Sequence, residues 1–83
     1  MNTITAIVYE LGHLPAGYMQ AVGSLRASVR LSAPAGPADA EIDATLDRLE
    51  ADRLVSCQAD PFAGKRYCLT AAGRAKYTEL FSI

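Results

Sequence analysis

No stretch of this chain approaches the ~18 consecutive apolar residues that a membrane-crossing helix requires, and no cationic segment precedes an apolar one at its N-terminus. A membrane partner is therefore not expected, and the absence of a secretory pattern points to the cytoplasm. Charge of neither sign is in excess. Eight Lys and Arg stand against nine Asp and Glu, a formal net charge of −1 with a pI of about 5.7. The basic surplus that usually draws a domain to nucleic acid is missing. Cysteine and histidine are scarce: Cys57, Cys68 and His13 are all there is, with no CxxC spacing, so no zinc-ligand pattern exists. There is also no Gly-rich phosphate loop and no nucleophile–base grouping with local support. Neither catalysis nor a metal or cofactor is expected.

What is present is the balance of an ordinary globular domain, about half hydrophobic and one-fifth charged. With 83 residues the chain has room for one core, so residues 1–83 are read as a single domain. Ile4, Ile7, Val8 and Leu11 follow a three-four spacing and predict a first helix ended by Gly12, with Pro15 confirming the break. A second helix is expected from about Gly17 to Leu31, with Tyr18, Val22, Leu25 and Val29 on one face. The tract Ser32-Ala33-Pro34-Ala35-Gly36-Pro37 cannot continue it. A third helix follows, its first turn suited by Pro37 or Ala38 and by the acids Asp39 and Glu41, its buried stripe formed by Ile42, Leu46 and Leu49.

From Leu54 the period changes to alternation. Val55, Cys57 and Ala59 predict a strand, residues 60–64 a turn, and Lys65 to Thr70 the returning strand with Tyr67 and Leu69 on one side. A four-residue turn at 61–64 would pair Asp60 with Lys65 and set Cys57 across from Cys68. Two reduced thiols are expected there in preference to a disulfide. Thr70 is placed to cap a last helix from about Ala71 to Leu80. Residues 13–16 are a candidate for a short additional strand between the first two helices. Leu80 is expected to close the core, with Phe81 and Ile83 placed for contact between chains in a homodimer. The fold class is thus mainly α with a small β-hairpin.

Leu46-Asp47-Arg48-Leu49-Glu50-Ala51-Asp52-Arg53-Leu54-Val55 resembles the end of the recognition helix and first wing strand of winged-helix regulators of the MarR and PadR type. Gly64-Lys65-Arg66-Tyr67-Cys68-Leu69-Thr70-Ala71-Ala72-Gly73-Arg74 resembles their wing, returning strand and following helix. The resemblance covers roughly residues 40–80. It implies a winged helix-turn-helix, a three-helix core with a two-stranded wing and a C-terminal helix, and a DNA-binding role in transcription regulation.

Two functional readings follow. In the first, double-stranded DNA is held by Arg26 and Arg30, four apart on the second helix, and by Lys65 and Arg66 beside the wing turn, where they could reach phosphates or a minor groove. In the second, the acids Asp39, Glu41, Asp43 and Asp47 of the third helix bind a protein partner. Residues 38–60 hold seven acids against Arg48 and Arg53. Carboxylates in a major groove accept only from cytosine and are repelled by every phosphate.

Overall fold

The computed structural model of the chain describes residues 2–34, 36–62 and 64–81. It is an α+β domain of four helices and a three-stranded antiparallel sheet: α1 (Thr3–Gly12), β1 (Gln20–Ala21), α2 (Val22–Ser32), α3 (Asp39–Ala51), β2 (Val55–Asp60), β3 (Gly64–Leu69) and α4 (Ala71–Phe81), with sheet order β1-β3-β2. Among the described residues no helix is long and apolar enough to cross a membrane.

Asn2 opens α1 by accepting the Thr5 N–H at 2.8 Å. Ala6, Ile7, Val8 and Leu11 are buried, whereas Ile4 is exposed. The inward stripe keeps Ile7, Val8 and Leu11 and takes in the methyl group of Ala6 instead of Ile4. Gly12 ends the helix for a reason outside it: a Cβ there would lie 2.2 Å from the Tyr77 ring of α4.

The next segment corrects the expected second helix. The Tyr18 N–H donates to the Pro15 carbonyl at 3.1 Å and Gly17 takes φ +85°, closing a turn that demands glycine. Gln20 and Ala21 then pair with Tyr67 and Arg66. The helix cannot begin before Val22, and Tyr18, 65% exposed, does not share the buried face of Leu25 and Val29. The extra strand therefore exists, but at residues 20–21 and not at 13–16, and it turns the expected two-stranded hairpin into a three-stranded sheet.

α3 buries Ile42, Leu46 and Leu49 as the spacing requires. It ends in a double hydrogen bond, Leu54 N to Leu49 O at 2.9 Å and Arg53 N to Glu50 O at 3.0 Å, with Arg53 in the left-handed region at φ +61°. β2 and β3 pair Val55 with Leu69, Cys57 with Tyr67 and Asp60 with Gly64. Three residues, not four, therefore separate the paired ends, and Gly64 at φ +79° accommodates the tighter connection. This register overturns the expected Cys57–Cys68 juxtaposition. Cys68 lies opposite Ser56, so the two free, half-buried thiols are on opposite faces of the sheet. The placements of Ala35 in the breaker tract, Ala63 in the turn and Ile83 at the apolar end fall outside the described residues.

α4 is fastened at its first turn. Thr70 Oγ accepts the Gly73 N–H at 3.0 Å and donates to the Arg53 carbonyl at 2.6 Å, while the Thr70 N–H donates to the Leu54 carbonyl at 3.1 Å. Gly73 is buried so tightly that a Cβ would stand 1.9 Å from that same Leu54 oxygen. The core lies between these elements, with Ile7, Leu11, Leu25, Val29, Ile42, Leu46, Leu49, Val55 and Tyr67 all buried. Each fully buried aliphatic side chain contributes about 1.5–3 kcal/mol.

Glycine to alanine inside a helix ordinarily gains up to about 1 kcal/mol. At Gly73 the sign reverses, because the added methyl overlaps backbone: Gly73→Ala is expected to cost about 1–3 kcal/mol, as overpacking does. Urea denaturation measures this, and a variant as stable as the parent would show that the approach of α4 to Leu54 is not constrained.

Candidate interaction surface

Two members of each group of charged residues singled out from the sequence turn out to be partners of one another. Arg26 clasps Asp43 with two hydrogen bonds, Nε to Oδ1 at 3.0 Å and Nη2 to Oδ2 at 2.7 Å. Arg30 forms an ion pair with Asp39. Both pairs join α2 to α3. Their members are four residues apart on each helix, and because the chain reverses direction between the helices the inner pair, Arg30 with Asp39, nests inside the outer pair, Arg26 with Asp43. The Arg26 guanidinium is held above its ordinary pKa, chiefly by its hydrogen bond to Asp43. The outer pair is partly solvated, so its energetic worth is modest. Its larger effect is to occupy the planar donor fork that would otherwise meet phosphate oxygens.

On the hairpin, Arg66 lies 3.4 Å from Asp60, whose other oxygen accepts the Phe62 N–H at 2.8 Å. Lys65 is exposed and makes no ion pair among the described residues. It shares a cleft of about 290 Å³ with Val22, Arg26, Asp43, Asp47 and Tyr67, between α2, α3 and β3. Of the four bases assigned to DNA contact, the structure brings Arg26 and Lys65 to one cleft and ties Arg26, Arg30 and Arg66 to carboxylates.

The acidic set divides as well. Asp39 and Asp43 are the paired members, whereas Glu41 and Asp47 are exposed and make no ion pair among the described residues, like Glu50 further along α3 and Asp52 just past its end. Thr45 is turned aside, its hydroxyl donating to the Glu41 carbonyl at 2.8 Å. The part of α3 opposite its buried stripe is formed by Ala40, Ala44, Asp47 and Ala51, all exposed. On that side of α3 Arg48, exposed beside Ala44 and Ala51, is the one side-chain donor able to read a base edge. The ion-pair ladder was legible in principle, as two four-residue spacings of opposite charge placed symmetrically about a helix-breaking loop. The alanine strip was legible as well, since a buried stripe of Ile42, Leu46 and Leu49 leaves Ala40, Ala44 and Ala51 on the opposite side.

Tyr67 floors the cleft. Burial first, then the adjacent Cys57 and the carboxylates of Asp47 and Glu50, push its phenol well above the ordinary tyrosine value. On the far side of the molecule Tyr9, His13, Tyr77 and Phe81 join α1 to α4, with ring centroids 5.3 Å apart for Tyr9–Phe81 and 5.2 Å for Tyr77–Phe81. Arg74 donates to the Gly12 carbonyl at 2.8 Å. Phe81, expected at a contact between chains, is thus engaged within its own chain, and Leu80, expected in the core, is exposed. Among the described residues no group of three or more His, Cys, Asp or Glu is arranged to hold a metal ion.

The tract Tyr67-x-Leu69-Thr70-x-x-Gly73-Arg74, which carries the resemblance noted above, is spent on the fold. Tyr67 and Leu69 pack the core, Thr70 and Gly73 seat α4, and Arg74 bridges to α1. Comparison with known protein families, with characterised proteins and with solved structures yields no match.

The neutral Tyr67 phenol is favoured by the fold, so its contribution is complete below the unfolded tyrosine value near 10 and is lost as pH rises beyond it. Thermal melts between neutral and strongly alkaline pH are expected to show falling stability above that point. Tyr67→Phe should flatten the decline, and an identical decline in the variant would assign it to other groups.

Proposed function

We propose that the chain is a small winged helix-turn-helix domain that works by binding another protein through the outward strip of α3, in place of clasping a DNA duplex. The element order and the hairpin directly after the third helix support the winged-helix reading. Fold alone does not carry function. The choice between partners rests on one observation: the two bases best placed beside α3 are already held by its own carboxylates, Arg26 by Asp43 and Arg30 by Asp39.

What α3 then offers outward is a low strip of alanines with Asp47 among them, bordered by Glu41 and Glu50 and by Asp52 just past the helix end, with Arg48 the opposing charge. Small side chains let a second helix approach closely, and the flanking carboxylates favour a partner with a basic rim. A phosphate backbone meets the reverse, since the unpaired charge of the helix is negative. The domain serves as an adaptor, an assembly component or an inhibitor, with α3 as its contact element.

Two measurements test this. Fluorescence anisotropy of a random-sequence duplex is expected to stay flat at low salt up to about 100 μM protein, the weak end of non-specific binding. Micromolar binding that weakens with salt and disappears in a Lys65→Ala/Arg66→Ala variant would overturn the proposal in favour of DNA contact led by the hairpin. In cells, a photo-crosslinking amino acid placed at Ala44 should yield a discrete protein adduct, lost on Asp47→Lys, whereas the same probe at exposed Ala75 of α4 should not. Equal labelling at both positions would remove α3 as the contact element.

A further inference from the structure

The sheet has two edges of unequal kind. β1 is only two residues long, but β2 presents six, Val55–Asp60, and pairs with β3 alone. Alternate N–H and C=O groups of β2 therefore point away from the sheet. Among the described residues, no backbone group from outside the sheet hydrogen-bonds to this strand. Edge strands are normally guarded by lysine, proline, a bulge or a covering segment. β2 has none of the first three: its register runs unbroken from the Val55–Leu69 pair to the Asp60–Gly64 pair, and Ser56, Gln58 and Ala59 are exposed and neutral.

The ends of the strand carry what a second copy would match. Arg53, just before β2, is exposed and makes no ion pair among the described residues. It also occupies the left-handed region at φ +61°, where a side chain is disfavoured and glycine would be at ease. The other end is Asp60, engaged by Arg66 and the Phe62 N–H, with Phe62 just beyond it, 98% exposed on a turn that this hydrogen bond helps to fix.

We infer that β2 is the interface of a homodimer, in which two copies of this edge pair antiparallel about a two-fold axis near Cys57 and Gln58. Antiparallel self-pairing sets the Asp60–Phe62 end of each copy beside the Arg53 end of the other. Each contact joins a guanidinium to a carboxylate and an aromatic face, and symmetry supplies it twice. The two sheets become one of six strands. This surface is separate from the outward strip of α3 and does not rest on the protein-binding reading.

Sedimentation velocity of the full chain, from low micromolar to near-millimolar concentration, is expected to show a species of twice the 8.8 kDa monomer mass, weakened by salt. Ser56→Lys/Gln58→Lys introduces edge lysines on an exposed face and should give a monomer with an unchanged circular dichroism spectrum. Arg53→Gly separates structure from docking. It relieves the left-handed backbone, so the monomer's melting temperature should hold or rise, while dimerisation at low salt weakens several-fold. A wild-type chain monomeric throughout, a dimer that survives the two lysines, or an Arg53→Gly variant that dimerises as tightly as the parent would each overturn the inference.

Discussion

The Leu54 carbonyl is the point at which four segments of this small domain are brought together. It follows the left-handed turn that ends α3, it precedes β2, it accepts the N–H of Thr70 at the end of β3, and the first turn of α4 presses Gly73 against it. A main-chain oxygen in such a position must be bonded, and the α4 residue pressed against it, Gly73, must lack a side chain. The neighbouring Arg53 carbonyl repeats the arrangement through the Thr70 hydroxyl. The hairpin, the end of α3 and the start of α4 therefore move as one piece. α1 joins that piece through the Arg74–Gly12 bond and the aromatic contacts of Tyr77 and Phe81.

Much of this junction is visible in the sequence, because it is made by residues whose chemistry is local. Thr70 before a helix, the alternation from Val55, and the three-four spacing of Ile42, Leu46 and Leu49 each state their structure within a few residues. What escaped the sequence depends on partners far along the chain. Gln20 and Ala21 form a strand because β3 offers them an edge, and nothing in their own neighbourhood announces it. Tyr18 fitted the helical spacing but lay beyond a turn fixed by Gly17. The hairpin register turned on a single residue, and with it the relation between Cys57 and Cys68, since a slip of one position moves a side chain to the other face.

The charges teach the same lesson in electrostatic form. Counted along the chain, Arg26 and Arg30 suggest phosphate contact while Asp39 and Asp43 suggest the opposite. Counted in space they cancel, because the loop between α2 and α3 folds one set onto the other. A basic pair on a helix therefore becomes informative only when the acids within reach of it are known. The alanines of α3 make the complementary point, since a run that reads as plain helix propensity acquires meaning once its exposure is known.

The pairing of α1 with α4 has a bearing on how the chain is made. Gly12 receives its hydrogen bond from a residue 62 positions later, and Tyr9 meets Phe81 across an almost equally long separation. During vectorial synthesis α2 covers part of the apolar side of α1 early, whereas the part closed by Tyr77 and Phe81 must wait until nearly all of the described chain has left the ribosome. Contacts of such long separation close late and at an entropic cost. Docking of α4 is thus a late step, and a nascent chain halted before Tyr77 leaves the side of α1 around Tyr9 and Gly12 open for chaperones or proteases to find.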